Sequence, residues 1–214
     1  MIADGAIGAS PAGMDGVEIH AANGYLIEQF LRAETNRRTD RYGGSVANRA
    51  RFLLEIVEAV IDVWGPGRVG VKITPHYQDG GNADPDPAVL YGYIAHQLNG
   101  DDLAYLHAVE AINPTSSQAP KSGAAELLPM LRQTYRGKLI ANGAYTRQAA
   151  EAVITTGMAD LVAFGSLYIA NPDLVERFRR DAPLNKPDPA TFYVGGVNGY
   201  VDYPVLDQTS AAAD

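Results

Sequence analysis

Short apolar runs alternate along the chain with longer segments that have the periodicity of amphipathic helices. The runs are nearly continuous in hydrophobicity, which is typical of parallel strands buried on both faces. The five predicted strands are VEIH (17–20), VGVKI (69–73), LAYLH (103–107), KLIAN (138–142) and LVAFG (161–165). Because a helical segment follows each run, the pattern predicts a parallel α/β fold.

Capping signals mark several of the helical segments. Residues 46–64 place seven apolar side chains on one stripe, as expected for a helix packed against a sheet. The expected N-terminal caps are Ser45, Thr146 and Asn171, the last followed by Pro172 at the first helical position. Gly157 is expected to end the second of these helices, and two more helices are predicted near 87–99 and 123–135.

The spacing of the strands matches that of β/α units. Successive predicted strands start 52, 34, 35 and 23 residues apart, and the first interval includes an insertion. A closed β/α barrel has eight strands and about 250 residues, so five units are fewer than closure requires. No low-complexity linker interrupts the array. We therefore expect a single domain over residues 1–214, with a disordered tail at 206–214.

Composition and charge narrow the classes of partner. The 214 residues carry 17 basic and 25 acidic side chains and no cysteine. Without a basic stretch, nucleic acid and anionic membranes are not expected partners. The lack of cysteine excludes disulfides and thiolate catalysis, and the histidines have no metal-ligand spacing. With no apolar run near the roughly 20 residues of a membrane span and no recognisable signal peptide, a cytoplasmic location is expected.

Polar and glycine residues follow the predicted strands, where the ligands of parallel sheets bind. Lys72 lies in the second strand, and the fourth and fifth strands end in Asn142-Gly143 and Gly165-Ser166. Two consecutive glycine-containing turns before helix N-termini can offer backbone N–H groups to a phosphate. Glycines at strand ends also occur for steric reasons alone, and the spacing by itself does not decide between the two.

The first strand ends in three hydrogen-bonding side chains, His20, Asn23 and Tyr25. His20 and Asn23 together can donate two hydrogen bonds to one carbonyl oxygen, which makes the β-carbon of an enone a better hydride acceptor. Tyr25 can deliver a proton. A structural histidine and an ordinary Asn-Gly turn are the alternatives that the spacing leaves open.

Several longer motifs carry a family resemblance. They are VEIHAANGYLIEQFL, NRRTDRYGGSVANRARFLLEIVEAV, IANGAYT, AFGSLYIANPDLVERF and FYVGGVNGYVDYP. Together they resemble the old yellow enzyme family of FMN-dependent ene-reductases, from about residue 14 to residue 205. The resemblance implies a (β/α)8 TIM-barrel fold truncated to strands four through eight.

The family resemblance also implies an activity and its cofactors. FMN would take a hydride from NADH or NADPH and pass it to an electron-poor alkene, or to a nitro compound. His20 and Asn23 would bind the substrate carbonyl, Tyr25 would be the proton donor, and Lys72 would face the flavin pyrimidine. The phosphate loops would contain Asn142, Gly143, Gly165 and Ser166. Tyr193 would line the substrate pocket.

Two other functions remain open at this point. An incomplete barrel can act as a phosphate- or flavin-binding or self-assembling module, because a cut parallel sheet exposes an unpaired edge that a homodimer can cover. A non-flavin barrel enzyme for a phosphorylated metabolite is the second. The set of His20, Asn23 and Tyr25 argues against that enzyme, which would need a carboxylate or lysine base at the strand ends.

Overall fold

A computed structural model describes residues 2–9, 11–75, 84–110 and 127–206. The strands are β1 (Val17–Ala21), β2 (Val69–Ile73), β3 (Tyr105–Val109), β4 (Leu139–Asn142) and β5 (Leu161–Ala163). The helices are α1 (Ile2–Ala9), α2 (Leu26–Leu31), α3 (Val46–Trp64), α4 (Pro87–Gln97), α5 (Leu127–Thr134), α6 (Arg147–Thr155), α7 (Ser166–Ala170) and α8 (Leu174–Arg180). Short 3₁₀ turns cover Leu98–Gly100 and Pro189–Thr191.

The five strands form one parallel sheet in the order β1-β2-β3-β4-β5, which confirms the predicted fold class. Alternate side chains of the strands point to opposite faces of the sheet. One face packs against the helices and forms the core, and its buried strand residues include Ile19, Ala21, Val69, Val71, Ile73, Leu106, Ala108, Leu139 and Ala141. The other face carries the polar side chains of β1, β2 and β3, and it would be the interior of the barrel that the family resemblance implies.

Two of the predicted helix caps are confirmed. The Ser45 hydroxyl accepts a hydrogen bond from the Asn48 N–H, and the Thr146 hydroxyl accepts one from the Ala149 N–H. Each cap satisfies a backbone donor that the first turn of a helix leaves unpaired. After α6, Gly157 adopts φ of 73°, the left-handed conformation with which glycine commonly ends a helix.

The bounds of two strands differ from the prediction. Strand β3 is shifted by two residues toward the C-terminus, so His107 lies in its middle and not at its end. The apolar run includes Leu103, but Leu103 follows Asp102, which has a left-handed φ of 46°, and Leu103 is buried in the irregular segment before the strand begins. Strand β5 ends at Ala163, because the next residues lead directly into α7.

The predicted cap at Asn171 is wrong. The helix over this region begins later, as α8, with Asp173 at the N-cap position. The Asn171 side chain is fully buried and bonds to other segments: its amide donates to the Leu167 carbonyl oxygen, and its Oδ1 accepts the Asn185 N–H at 2.7 Å. The Asn171 side chain therefore bonds to Asn185, 14 residues away, and does not cap the helix as local spacing predicted.

The chain divides into two compact units, Met1–Ala163 and Phe164–Asp214. The first unit contains the sheet. The second contains α7 and α8, where buried Arg177 donates to the carboxylate of Asp173 and to the carbonyl oxygens of Pro183 and Pro204. The single domain over residues 1–214 stays a prediction, and of the predicted tail at 206–214 all but Leu206 lies outside the described residues. No helix in the described ranges is long and apolar enough to cross a membrane.

Candidate active site

The barrel-facing side of the sheet carries two rows of side chains that cross three strands. The pairing register of parallel strands places His20 beside Lys72, and Lys72 beside His107. One step toward the strand starts, Glu18 lies beside Gly70, and Gly70 beside Tyr105. Neighbouring strands are about 4.8 Å apart, so side chains of adjacent strands in one row can reach one another.

The lower row joins His107 of the upper row in a hydrogen-bonded network. The Glu18 carboxylate pairs with Nδ1 of His107 at 2.9 Å, and burial together with the charge of Glu18 raises the pKa of Tyr105. The network spans β2 because Gly70 has no side chain there: an added Cβ would lie 2.3 Å from a ring carbon of Tyr105. Burial raises the pKa of Glu18, but the hydrogen bond and charge of His107 outweigh that effect and leave the pKa below its usual value.

His20 occupies the upper row at the open edge of β1. Its ring lies 5.2 Å from the ring of Tyr25 (centroid to centroid), and both side chains are exposed. Burial of part of the imidazole, and then the positive charge of Lys72, lower the pKa of His20 below 6.5. His20 is therefore neutral at pH 7, and a neutral imidazole can donate one hydrogen bond to an oxygen.

The Asn-Gly pair after β1 forms a tight turn. Asn23 and Gly24 have φ of 56° and 77°, and the Tyr25 N–H donates to the Ala22 carbonyl oxygen at 3.2 Å. Positive φ at both central residues is the property of a type I′ turn, for which Asn-Gly is favoured. The turn places the Asn23 side chain on the rim of the sheet beside Thr74, which follows β2.

A buried network supports this turn from below. The carboxylate of Glu28 accepts the Gly24 N–H and the Tyr91 hydroxyl, and forms an ion pair with Arg32 at 2.9 Å. Glu28 is completely buried, and its burial raises its pKa. The Tyr91 hydroxyl also contacts the Thr74 carbonyl oxygen at 3.4 Å, so the network reaches the ends of both β1 and β2.

Of the predicted site residues, the structure places His20 beside Lys72 and against the ring of Tyr25, and places Asn23 in the turn between His20 and Tyr25. Asn142 ends β4 on the same face, followed by Gly143 with φ of 157°. The remaining three predicted residues belong to the second unit. Gly165 and Ser166 are exposed at the start of α7, and Tyr193 is 96% exposed.

Sequence reasoning missed the residues that hold this site in place. Glu18 lies two residues before His20 and therefore on the same face, a signal that could have been found from the strand alone. Glu28 and Tyr91 could not be found this way, because they lie on different helices, 63 residues apart in the sequence. Nothing in the local periodicity indicates that pairing.

The sequence of the chain is similar to sequences of a known family of flavin-dependent oxidoreductases. The sequence profile of the NADH:flavin oxidoreductase / NADH oxidase family matches residues 3–185. The chain is 46% identical over 210 residues to a putative 12-oxophytodienoate reductase 5 of Oryza sativa subsp. japonica, covering 95% of this chain and 55% of the relative. It is 46% identical over 195 residues to a probable flavin mononucleotide-dependent alkene reductase of Leishmania infantum, covering 91% and 52%.

Solved structures give the same result. Morphinone reductase superposes with a TM-score of 0.89 at 47% identity, over 97% of this chain and 55% of the other. A structure of morphinone reductase in complex with tetrahydroNAD superposes with a TM-score of 0.88. The chain thus spans about half the length of the relatives that it matches, and its five strands are part of a TIM barrel. It belongs to the NADH:flavin oxidoreductase / NADH oxidase family, known also as the old yellow enzyme family.

Proposed function

We propose that this chain forms the substrate-binding part of an NAD(P)H-dependent, FMN-containing ene-reductase. The observation that carries the proposal is that His20 lies beside Lys72 across the β1–β2 pair, and that Asn23 lies in the turn directly after β1. Paired donors at one oxygen stabilise the negative charge that develops when a conjugated carbonyl compound accepts a hydride at carbon. The family membership supports the same chemistry.

The residues present fit a flavin. Lys72 is half-buried on the barrel-facing side and makes no hydrogen bond or ion pair with another described residue. A cation in that state suits the pyrimidine edge of a flavin, whose reduced form is an anion. FMN, when bound, supplies hydride transfer from NADH or NADPH to an alkene. We propose that Asn142 and Gly143 contact its phosphate; roles for Gly165, Ser166 and Tyr193 stay predictions.

The residues of the chain have separate tasks in this proposal. His20 and Asn23 bind the carbonyl oxygen of an enone, or one oxygen of a nitro group, and so orient the substrate. Tyr25 delivers a proton to the carbon next to the carbonyl. Its hydroxyl is available for that task because the Tyr25 side chain is 63% exposed and makes no hydrogen bond with another described residue.

The proposed activity is tested by the visible absorption spectrum of the purified, gel-filtered chain before and after excess FMN is added. We expect a flavin band that survives gel filtration, and NADPH oxidation that requires an enone such as cyclohexenone under anaerobic conditions. A chain that remains colourless after the addition of FMN would overturn the proposal. A flavin-loaded chain that oxidises no NADPH when enone is present would restrict the function to flavin binding.

The open edge of β1 favours a second function, that of a self-assembling module. The Val17 N–H donates to the carbonyl oxygen of Arg68, which directly precedes β2. Because backbone groups of successive strand residues point to opposite sides, those of Glu18 and His20 point away from β2. In the described residues no strand pairs with that edge. A groove of about 370 Å³ lies beside it, lined by apolar side chains that include Ala6, Ile27 and Val60.

A homodimer that covers this edge has a mass twice that of the 22.8 kDa chain, which light scattering distinguishes from a monomer. We expect the dimer, because an exposed strand edge with an apolar groove associates readily. A monomer at all concentrations up to about 100 μM, the micromolar range in which exposed strand edges already associate, would contradict the assembly function.

A further inference from the structure

We propose that Thr74 is a positioning residue, which fixes the side-chain amide of Asn23 so that its two N–H donors face the substrate. This inference rests on the proposed function, in which Asn23 binds the substrate carbonyl. Thr74 itself touches neither substrate nor cofactor in this proposal. It acts through Asn23 alone, and that restriction makes the inference testable.

Two hydrogen bonds join Thr74 to Asn23. The Asn23 backbone N–H donates to the Thr74 Oγ1 at 2.9 Å, and the Thr74 hydroxyl donates to the Asn23 Oδ1 at 3.0 Å. Thr74 is only 2% exposed, so water does not compete for these bonds. They join positions 51 residues apart in the sequence and connect the turn after β1 to the end of β2.

This pattern assigns the orientation of the carboxamide. A threonine hydroxyl has a single hydrogen to donate, and no other described residue accepts it. If the carboxamide were rotated by 180°, its nitrogen would donate to the hydroxyl oxygen, and Oδ1 would no longer be there to accept the hydroxyl hydrogen. The buried hydroxyl hydrogen would then lack a partner, which costs about 1–3 kcal/mol. The Oδ1 therefore faces Thr74, and the Nδ2 points away from it.

The Nδ2 of Asn23 is left for a ligand. It makes no hydrogen bond within the described residues, and Asn23 is only half-buried. A substrate carbonyl that meets Nδ2 accepts a hydrogen bond, whereas one that meets Oδ1 is repelled by a second oxygen. Thr74 thus decides whether Asn23 attracts or repels the substrate.

Thr74 is itself held in place. Its carbonyl oxygen contacts the Tyr91 hydroxyl, which donates to Glu28 at 3.0 Å, and Glu28 in turn holds the Gly24 N–H. The turn and Thr74 therefore share one buried network. Binding groups that are fixed before the substrate arrives lose little entropy when it binds.

The test compares Thr74→Val, which keeps the shape of the side chain and removes the hydroxyl, with Thr74→Ser, which keeps the hydroxyl. The affinity of the FMN-loaded chain for phenol, followed by its charge-transfer band, should fall at least 10-fold in the valine variant. FMN affinity should be unchanged. The serine variant should stay within about 3-fold of the unchanged chain. Equal phenol affinity in the two variants would overturn the inference.

A double-mutant cycle tests whether Thr74 acts only through Asn23. In an Asn23→Ala background, Thr74→Val should have no further effect on phenol affinity. A further loss of 10-fold in that background would show that Thr74 supports the site by another route and would overturn the inference.

A flavin-independent measurement separates this inference from the proposed function. In the NMR spectra of the chain without FMN, the valine variant should show faster hydrogen exchange of the Asn23 backbone amide and a lower order parameter for its side-chain amide. The serine variant should show neither change. If the chain binds no FMN, the proposed function fails and these spectra still decide the role of Thr74. An unchanged side-chain order parameter in the valine variant would overturn it.

Discussion

Replacement of both His20 and Asn23 with alanine is expected to abolish phenol binding and enone reduction while FMN remains bound. Loss of one preorganised donor to a developing oxyanion lowers kcat by about 10²–10³-fold, and the double variant should lose at least that much. FMN should remain bound because His20 lies on β1 and Asn23 directly after it, whereas the proposed flavin contacts of the first unit lie on β2 and at the end of β4. The measurements are the charge-transfer band with phenol, the rate of NADPH oxidation with an enone, and the flavin content after gel filtration.

A matched control for this prediction is His96→Ala. His96 lies on the exposed side of α4, so its removal deletes an imidazole without touching the site and should leave all three measurements unchanged. Loss of FMN from the double variant would show that His20 and Asn23 maintain the structure of the rim. Retention of the phenol band would contradict their role as ligands of the substrate oxygen.

The pH dependence of substrate binding should follow the state of His20. Its pKa is below the ordinary value of 6.5 because of burial and the charge of Lys72, so the imidazole is neutral from pH 7 upward. The oxygen ligand then meets two neutral donors, and the double variant should have the same relative deficit at pH 7 and at pH 8.

Local sequence patterns predicted the order of the elements well because each strand and helix is built from contacts near in sequence. The strands β1, β2 and β4 and the caps at Ser45 and Thr146 follow from hydrophobic period and from short side-chain hydrogen bonds. The position of β3 did not follow. Whether Leu103 or Val109 belongs to the strand depends on pairing with β2 and β4, which a single apolar run does not specify.

The candidate site divides in the same way. His20 and Asn23 were found because they end a strand, where ligands of parallel sheets bind. Thr74 and Glu28 escaped a functional interpretation because their partners lie in other elements. Asn171 is the opposite case: its local pattern was that of a helix cap, but a buried contact with Asn185 decided its position. Hydrogen bonds between side chains of distant segments are thus the part of this fold that sequence periodicity does not predict.

Removal of the Asp84 carboxylate should have the largest effect on stability. Asp84 is buried and forms an ion pair with the buried side chain of Arg49 at 3.0 Å. It also accepts the backbone N–H of Ala33 at 3.0 Å. We expect Asp84→Ala to lower the free energy of unfolding by about 3–5 kcal/mol, because it leaves a buried guanidinium without its counter-charge.

The urea midpoint and slope at 25 °C measure this loss, and Asp40→Ala is the matched control. Asp40 also pairs with an arginine, Arg38, but both side chains are about half exposed, so water screens the pair and its loss should barely change the midpoint. Equal effects of the two substitutions would mean that burial does not determine how much the Asp84–Arg49 ion pair contributes to the free energy of unfolding.

Arg49 explains why Asp84 should matter beyond a single ion pair. Its guanidinium also donates to the carbonyl oxygens of Leu31 at 2.7 Å and Gly44 at 3.1 Å, and so joins the end of α2 to the start of α3. If these two bonds held Arg49 adequately, Asp84→Ala would cost less than about 1 kcal/mol, the ordinary value of one hydrogen bond. A larger loss would show that the Asp84–Arg49 pair stabilises the α2 region, which supports the Asn23 turn. If the folded fraction still binds phenol, the pair contributes to stability and not to the chemistry of the site.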